Sequence, residues 1–326
     1  MSSSSEVLLE VKNLRKWFSV SNRFMFSKKA TLKAVNGVSF AVNKGETLGI
    51  VGESGCGKTT LGRTVLRLVE PTEGEINFCG EDLLKLDKRA MQKRRRDMSI
   101  IFQDPYGALD PRMKIGDIIC EPMIIQGITD RRQREDRLLE LLDIVGLGEE
   151  HVIRYAHEFS GGQRQRVGIA RALALNPKLI VCDEPVSALD VSIQAQILNL
   201  MEEIQLKYGV TFIFISHDLS VVKHVSHNVA VMYLGKIVEI APKDQLYDAA
   251  MHPYSKALLA AIPIADTAVK RKKVILQGDL PSPTNLPPGC SFNTRCPIST
   301  DECLTQAPEL KEWSPGHYCA CHHVEK

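Results

Sequence analysis

One loop of the chain, G-E-S-G-C-G-K-T, has the residue types and the spacing that bind the phosphates of a nucleotide. Gly52, Gly55 and Gly57 allow backbone N–H groups to close around phosphate oxygens. Lys58 is spaced to reach the β and γ phosphates, and Thr59 to hold Mg²⁺. The pattern therefore predicts a site for a magnesium nucleotide.

The segments on either side of this loop predict the elements that would position it. Residues 47–51, TLGIV, form an apolar run that predicts a buried strand, and residues 58–69, KTTLGRTVLRLV, predict a helix. A helix that begins at the loop adds the positive end of its dipole, about half a charge, to the phosphate site.

An acidic pair follows a second apolar run, LIVCD, at residues 179–183. A magnesium nucleotide needs a carboxylate to fix the metal and, for hydrolysis, a group that orients water. We predict that Asp183 binds the metal and that Glu184 is the general base. The alternative is an ordinary strand that ends in an acidic turn.

His217 follows a third run, VTFIFIS, at residues 210–216. Imidazole can hydrogen-bond a phosphate oxygen at neutral pH without a fixed charge. A lone histidine at a strand end is more often structural than functional. Ligands of open α/β sheets bind at the carboxyl edge of the strands, however, and this favours a functional role here.

Composition limits the classes of protein that remain. The chain has 326 residues, of which 44% are hydrophobic and 25% charged, so it can bury a full core with a smaller appendage. A formal charge of +2 gives no broad basic field, and we predict no nucleic-acid partner. No apolar run approaches the roughly 20 residues that cross a bilayer, and the N-terminal residues lack a signal-peptide pattern. We therefore expect a cytosolic chain that works at a membrane only through other subunits.

Short β-branched runs alternate with helical patterns along the chain, which predicts an α/β fold with a parallel sheet. Leu138, Leu141, Leu142 and Val145 recur at i, i+3, i+4 and i+7, the apolar stripe of a helix. This stripe predicts a helical subdomain at about 104–175, inserted before LIVCD.

The order of these motifs resembles that of the ATP-binding subunits of ABC transporters. Beside the phosphate loop and LIVCDEP, the chain contains IFQDP with Gln103, FSGGQ at 159–163, SALD at 187–190 and SHD at 216–218. These match the Q-loop, the signature, the D-loop and the H-loop of that family. The resemblance implies an α/β P-loop ABC ATPase domain with an inserted helical subdomain and a small, loop-rich C-terminal cysteine tail.

The resemblance also implies a role for each matching residue. It makes Glu184, His217 and Gln103 catalytic, and it makes Thr59, Gln103 and Asp183 the Mg²⁺ site. The residues that it implies for binding ATP are Phe18, Gly52, Ser54, Gly55, Cys56, Gly57, Lys58, Thr59, Thr60, Ser160, Gly161, Gly162, Gln163 and Asp190.

Two of these implications concern how ATP is held: between two chains, and against an aromatic side chain. In an ABC dimer each ATP lies between the phosphate loop of one chain and the signature of the other, so Ser160, Gly161 and Gly162 resemble a second anion-binding helix start. An aromatic residue stacks on adenine in the family; we prefer Phe18, with Trp17 as the alternative.

Three further segments resemble one branch of this family, the peptide and nickel importers, and most of all the second ATPase of a dipeptide permease. They are PYGALDPR, MHPYSKALLAAIP and LPSPTNLPPGCSFNTRCP. The implied domains are an ABC domain at 1–250 and a peptide-transporter-type extension at 251–326. The implied partners are a second ATPase in a heterodimer, two transmembrane permease subunits and a solute-binding protein, at the cytoplasmic face of the plasma membrane. Peptides and nickel both remain candidate solutes, and a homodimer remains open.

Nine cysteines divide into two groups. We expect the scattered ones, Cys56, Cys79, Cys120 and Cys182, to be small buried hydrophobes. The spacing of the other five leaves metal binding and unliganded thiols equally open. The resemblance implies a [4Fe–4S] cluster on a set of four that excludes Cys319, with zinc as the alternative; the four are Cys290, Cys296, Cys303 and Cys321.

Two rival classes share the nucleotide motifs. A soluble ABC protein acting on ribosomes or DNA commonly has two cassettes or a long coiled-coil insertion, and this sequence has neither. A regulatory module that binds ATP without turnover would not need Glu184 and His217. We therefore predict an ATPase that powers import of di- or oligopeptides.

Overall fold

The computed structural model describes residues 6–20, 30–262 and 278–324. These residues form twelve strands and eleven α-helices. The strands are β1 (Val7–Val20), β2 (Ala30–Asn43), β3 (Thr47–Val51), β4 (Glu73–Phe78), β5 (Glu81–Asp82), β6 (Met98–Ile101), β7 (Leu179–Asp183), β8 (Thr211–Ser216), β9 (Asn228–Tyr233), β10 (Lys236–Pro242), β11 (Lys311–Ser314) and β12 (His317–Cys319). The helices are α1 (Lys58–Val65), α2 (Lys88–Arg94), α3 (Pro105–Ala108), α4 (Ile115–Ile125), α5 (Arg131–Ile144), α6 (Gly161–Leu173), α7 (Val191–Tyr208), α8 (Leu219–Val225), α9 (Lys243–Ala249), α10 (Pro253–Ala260) and α11 (Asp301–Thr305).

The described chain divides into two compact units. The first contains residues 6–8, 42–46 and 82–215. The second contains residues 9–20, 30–41, 47–81, 216–262 and 278–324.

In the first unit, three parallel strands carry the acidic pair. β7 lies between β6 and β8, with Val181 opposite Ile100 on one side and Ile213 on the other. Every residue of β7 and β8 is buried, as expected of parallel strands covered on both faces. β7 therefore delivers Asp183 at its carboxyl end, in register with Ile215 of β8.

Helices α4, α5 and α6 of this unit pack on one another. The predicted stripe of Leu138, Leu141, Leu142 and Val145 is buried, and each such side chain contributes about 1.5–3 kcal/mol through its burial. α6 also packs on β6 and on α7. The segment predicted to be helical, 104–175, contains α3 to α6.

The second unit combines parallel and antiparallel strands. β3 pairs with β9 in parallel, whereas β9, β10, β12 and β11 follow in antiparallel order. The antiparallel part is due to a two-residue hairpin turn in which Leu234 and Gly235 both have positive φ, 43° and 80°. β1 pairs antiparallel with β4 and neighbours β2.

The described end of the chain joins this unit through a buried side-chain hydrogen bond. β12 adds to β10, and there Glu239 of β10 and His317 of β12 are both almost fully buried, with Oε1 and Nε2 2.7 Å apart. The Glu239 carboxylate also accepts from the backbone N–H groups of Met251 and His252. Burial raises the pKa of Glu239, but these hydrogen bonds outweigh it and lower that pKa below its usual value. The predicted extension at 251–326 also includes residues 263–277 and 325–326, which lie outside the described residues.

The scattered cysteines do not all lie in the core as expected. Cys56 and Cys182 are buried and Cys120 is half-buried, but Cys79 is exposed. Cys79 lies in the turn that follows β4, with a positive φ of 51°, and turns run over the surface of a protein, so the prediction is wrong for this residue. Among the described residues, no helix is both long and apolar enough to cross a membrane.

Candidate nucleotide site

The phosphate loop connects β3 to α1, as predicted. Lys58 is the first residue of α1, and only 5% of it is exposed. Its ammonium group donates to the backbone carbonyls of Gly52, at 2.7 Å, and Glu53, at 3.1 Å. These bonds curl the loop around the lysine, while Ser54 and Gly55 lie exposed at its tip.

Gly57 is the residue of the loop that tolerates substitution least. Its φ of 108° is rare for other residues, and a Cβ there would lie 2.0 Å from the carbonyl oxygen of Ala34. Gly57 also caps α1, and no side chain caps this helix start. Cys56, which precedes it, is buried, and burial raises the pKa of its thiol.

Glu53, the second residue of the loop, is held by the C-terminal part of the chain. Its carboxylate accepts two bonds from the guanidinium of Arg295, at 2.7 and 3.0 Å. Its backbone N–H donates to the Tyr254 hydroxyl at 2.9 Å. No local sequence signal points to either partner, and sequence reasoning missed both.

The two aromatic candidates for adenine lie near the end of β1. Phe18 is 38% exposed, with the Lys16 ammonium 4.8 Å from its ring centre. Trp17 is half-buried, and its ring is approached by Arg15 at 5.7 Å and Lys33 at 5.4 Å. The choice of Phe18 stays a prediction.

In the first unit, the catalytic candidates Gln103 and Glu184 are in contact. The side-chain amide of Gln103 donates to Glu184 Oε2 at 2.9 Å, although 81 positions separate the two residues. Glu184 has a φ of 48°, unusual for a residue with a side chain, and its backbone N–H donates to Ile215. The hydroxyl of Ser187 donates to the Glu184 carbonyl at 3.0 Å, which completes a tight turn after β7. Strained backbone of this kind concentrates at functional sites.

The signature segment begins α6 with a capping box. The Ser160 hydroxyl accepts from the Gln163 N–H, and the Gln163 side chain accepts from the Ser160 N–H. Gly162 is required for space, because a Cβ there would lie 2.6 Å from Ile193 of α7. Part of the SGGQ pattern thus serves to cap α6 and to let it pack against α7. The S-x-x-Q spacing is a recognisable capping signal, but it was not used to predict this cap.

Arg164, the next residue of α6, joins the signature segment to the segment after Gln103. Its guanidinium lies 3.6 Å from the ring centre of Tyr106, and its Nε donates to the Ala156 carbonyl at 2.7 Å. Arg164 is buried, whereas Tyr106 is largely exposed. Sequence reasoning missed this contact, which spans 58 positions.

The remaining predicted residues lie as follows. Asp183 is buried at the end of β7, Asp190 is exposed at the start of α7, and His217 is exposed directly after β8. Thr59 and Thr60 are half-buried in the first turn of α1. The second unit thus contains the loop and His217; the first contains Gln103, the acidic pair, the signature and Asp190.

The four cysteines predicted to bind a cluster are neighbours without forming a metal cage. Burial raises the pKa of Cys290, Cys296 and Cys321, and the charges of the other cysteines raise it further. Cys303 lies 3.5 Å from His323 Nε2. Within residues 6–20, 30–262 and 278–324, however, no group of three or more His, Cys, Asp or Glu side chains is arranged to hold a metal ion. Cys319, predicted to stand apart, is buried in β12.

Comparison with known proteins identifies the family. Residues 35–187 match the family model described as ABC transporter, and residues 238–303 match oligopeptide/dipeptide transporter, C-terminal region. The chain is 52% identical to the oligopeptide transport ATP-binding protein AppF of Bacillus subtilis (strain 168), over 98% of each chain. This chain belongs to the ABC transporter family of ATP-binding proteins. A second relative from that organism, the putative oligopeptide transport ATP-binding protein YkfD, is 51% identical over 97% of this chain and 95% of its own length.

Solved ABC cassettes share the fold. The ATP-binding cassette MJ0796, in a dimeric post-hydrolysis state bound to ADP and Pi, matches with a TM-score of 0.64 at 29% identity, over 72% of this chain and 99% of that one. CbiO1 from Clostridium perfringens matches with a TM-score of 0.64 at 25% identity, over 75% of this chain and 92% of that one. The predicted ABC ATPase fold is therefore confirmed.

Membership in the family also confirms that this ABC protein is an ATPase and that its cofactors are ATP and Mg²⁺. The roles of the individual residues stay predictions. The comparisons give no support for an iron–sulfur cluster or for zinc.

Proposed function

We propose that this chain hydrolyses ATP to power the import of di- or oligopeptides through a membrane ABC transporter. The observation that carries the proposal is the match of its C-terminal part, 238–303, to the oligopeptide/dipeptide transporter region, in a chain that aligns over 98% of its length with AppF. The ABC domain alone would leave the solute open, since an ATPase does not contact it.

In the proposed cycle, the loop binds the phosphates of ATP. Lys58 exchanges its bonds to the Gly52 and Glu53 carbonyls for bonds to the β and γ phosphates, which are stronger because both partners are charged. The first turn of α1 has no side-chain cap, so its N–H groups and its dipole favour an anion at this point. Ser54, Gly55, Cys56 and Thr60 complete the loop, and Phe18 stacks on adenine.

We assign the Mg²⁺ ligands to Thr59, Gln103 and Asp183. Hydroxyl, amide and carboxylate oxygens are the donors that this hard cation prefers, and the burial of Asp183 suits a carboxylate that faces a cation rather than water. When bound, Mg²⁺ neutralises charge that develops on the phosphates.

Glu184 is assigned as the general base that orients the attacking water. Its hydrogen bond from Gln103 fixes the direction of the carboxylate, and the turn closed by Ser187 fixes its backbone. His217 is assigned to hydrogen-bond the γ-phosphate. Catalysis in this scheme relies on positioning and electrostatic stabilisation.

The signature of a partner ATPase would complete each site. Ser160, Gly161, Gly162 and Gln163 would serve the nucleotide of the partner, and Asp190 would lie at the same interface. We propose a heterodimer with a second ATPase subunit. The proposed assembly also contains two transmembrane permease subunits and a solute-binding protein, and it holds this chain at the cytoplasmic face of the plasma membrane.

Uptake in cells whose only copy carries Glu184→Gln tests the proposal. A labelled dipeptide, a longer peptide and Ni²⁺ are supplied side by side. We expect the uptake of one or both peptides to fall at least tenfold and Ni²⁺ uptake to persist, because the carboxamide cannot act as a base. Loss of Ni²⁺ uptake alone would make the chain a nickel importer subunit, and persistence of all three would favour another solute or a soluble ABC protein.

The purified variant separates catalysis from binding. We expect Glu184→Gln to bind ATP as tightly as the native protein and to lose at least 100-fold in kcat. Phosphate release by the assembled transporter gives kcat, and a fluorescent ATP analogue gives affinity. Undiminished phosphate release in the variant assembly would refute the assignment of the base.

We further propose that Cys290, Cys296, Cys303 and Cys321 bind a [4Fe–4S] cluster, with zinc as the alternative. Burial and the charges of neighbouring thiols raise the pKa of Cys290, Cys296 and Cys321. Four neighbouring thiols suit either metal chemically, but they would have to draw together and lose their protons. Iron and zinc are measured in anaerobically purified native protein and in Cys296→Ser. Absence of both metals from the native protein would end this proposal.

A further inference from the structure

The start of the phosphate loop is tied to the far end of the chain by an ion pair that the ATPase reaction scheme does not use. Arg295 donates from Nη1 and Nη2 to the two carboxylate oxygens of Glu53, at 2.7 and 3.0 Å. The Arg295 side chain is only 7% exposed, and that of Glu53 is 27% exposed. A bidentate pair with this degree of burial is stronger and more specific in geometry than a surface pair.

The tail is built so that Arg295 has a fixed position. Arg295 and Asn293 close successive turns onto the carbonyls of Phe292 and Cys290. The Phe292 ring is itself fully buried, 5.3 Å from Tyr233 and 5.5 Å from Tyr254. The backbone that carries Arg295 is therefore fixed by these turns and by the packing of Phe292, and this fixes the position of the guanidinium.

Glu53 is held from three sides at the point where the loop leaves β3. Arg295 binds its carboxylate, Tyr254 accepts from its N–H, and Lys58 donates to its carbonyl. Two of these three partners belong to the C-terminal part of the chain. A carboxylate beside an anion-binding loop would repel phosphate, and the guanidinium neutralises that charge.

We propose that Arg295 is a positioning residue for ATP binding, which acts through Glu53 to preorganise the phosphate loop and to cancel the negative charge at its entrance. A loop held in its binding conformation loses less entropy when ATP binds, so the effect falls on affinity rather than on the chemical step. The proposal rests on the proposed role of the loop in binding ATP.

The test measures ATP affinity and kcat for a double-mutant cycle of Arg295→Met and Glu53→Gln in the full chain. We expect Arg295→Met to weaken ATP binding and raise KM about tenfold, with kcat at saturating ATP changed less than twofold. In the Glu53→Gln background, the same substitution should change affinity less than twofold. A tenfold loss that persists in that background would show that Arg295 acts by another route and would overturn the proposal, as would native affinity in Arg295→Met.

Arg137→Met is the matched control, because Arg137 is a similarly buried arginine that bonds Glu140 at 2.6 Å within the first unit. Arg137→Met should lower the melting temperature without changing ATP affinity. An equal loss of affinity would reduce the role of Arg295 to general stability and overturn the proposal.

If Arg295→Met does not fold, Arg295→Lys replaces it in the test. We expect a three- to fivefold loss of ATP affinity, because lysine keeps the charge but not the bidentate geometry. Native affinity in Arg295→Lys would then count against the proposal.

Lys58→Ala distinguishes failure of this inference from failure of the proposed function. If Lys58→Ala abolishes ATP binding and the Arg295 variants retain it, only the inference falls. If Lys58→Ala binds ATP like the native protein, the loop is not the ATP site and both fall.

Discussion

The N-terminal ends of helices α1 and α6 both carry glycines that are proposed to face phosphate, yet the N–H groups of their first turns are satisfied in different ways. Gly57 is the N-cap of α1, and no side chain caps this helix start. At α6, Ser160 and Gln163 satisfy each other's N–H groups. α1 is thus shaped to receive an anion directly, whereas α6 is stable by itself and offers only the donors that its capping box leaves over.

Gly57 and Gly162 also differ in how strictly their surroundings exclude a side chain. A Cβ on Gly57 would meet the backbone oxygen of Ala34, which cannot move without disturbing β2. A Cβ on Gly162 would meet a methyl group of Ile193, which a second substitution can remove. The comparison therefore predicts that changes at α1 abolish nucleotide binding in a single chain, while changes at α6 act on stability and on the dimer.

The largest expected effect is that of Lys58→Ala on the isolated chain. We expect at least a 100-fold loss of ATP affinity, because the variant loses the charge aimed at the phosphates and the two bonds that curl the loop. Titration with a fluorescent ATP analogue measures it. Comparable loss in Ser160→Ala under the same conditions would contradict the distinction between the two helix starts.

A smaller effect is expected from Gly162→Ala. The added methyl group would lie 2.6 Å from Ile193 Cγ2, and overpacking of this kind costs about 1–3 kcal/mol of unfolding free energy. Urea denaturation of Gly162→Ala alone and together with Ile193→Ala measures it.

Recovery of ATPase activity in the double variant would show that Gly162 is required for packing. Recovery of stability without activity would show that Gly162 also serves nucleotide in the dimer. Native stability in the single variant would contradict the close approach of α6 and α7.

The smallest effect is that of Ser160→Ala, which removes half of the capping box. Loss of such a cap costs about 1 kcal/mol of unfolding free energy. ATP affinity of the isolated chain should stay native, while kcat of the assembled transporter should fall. A native kcat in the assembly would limit Ser160 to its structural role.

The parts of this architecture that the sequence predicted are local. β3 and β7 begin and end at the residues of TLGIV and LIVCD, since buried parallel strands leave a continuous apolar run. The buried stripe of Leu138, Leu141, Leu142 and Val145 was equally predictable, because four apolar residues at helical spacing define one buried face. The S-x-x-Q capping signal at the start of α6 is equally local, but it was not used to predict the cap.

The contacts that were not predicted join distant positions. Gln103 and Glu184 were assigned separately, and only the fold brings the amide to the carboxylate. Arg295 lies three positions after Phe292 and directly before Cys296, a context that draws attention to thiols rather than to a phosphate loop. The hairpin at Leu234 and Gly235 turned part of the predicted parallel sheet antiparallel through backbone angles that an ordinary-looking YLGK does not reveal.

The ion pair between Glu53 and Arg295 also has a consequence for biogenesis. The two residues are 242 positions apart, so the ribosome needs about 10–50 s to deliver the arginine after the glutamate. A nascent chain, or one truncated before the tail, carries the loop with its carboxylate unneutralised. If Arg295 positions the loop as proposed, a chain that has not yet reached Arg295 would bind ATP less tightly than one that contains it.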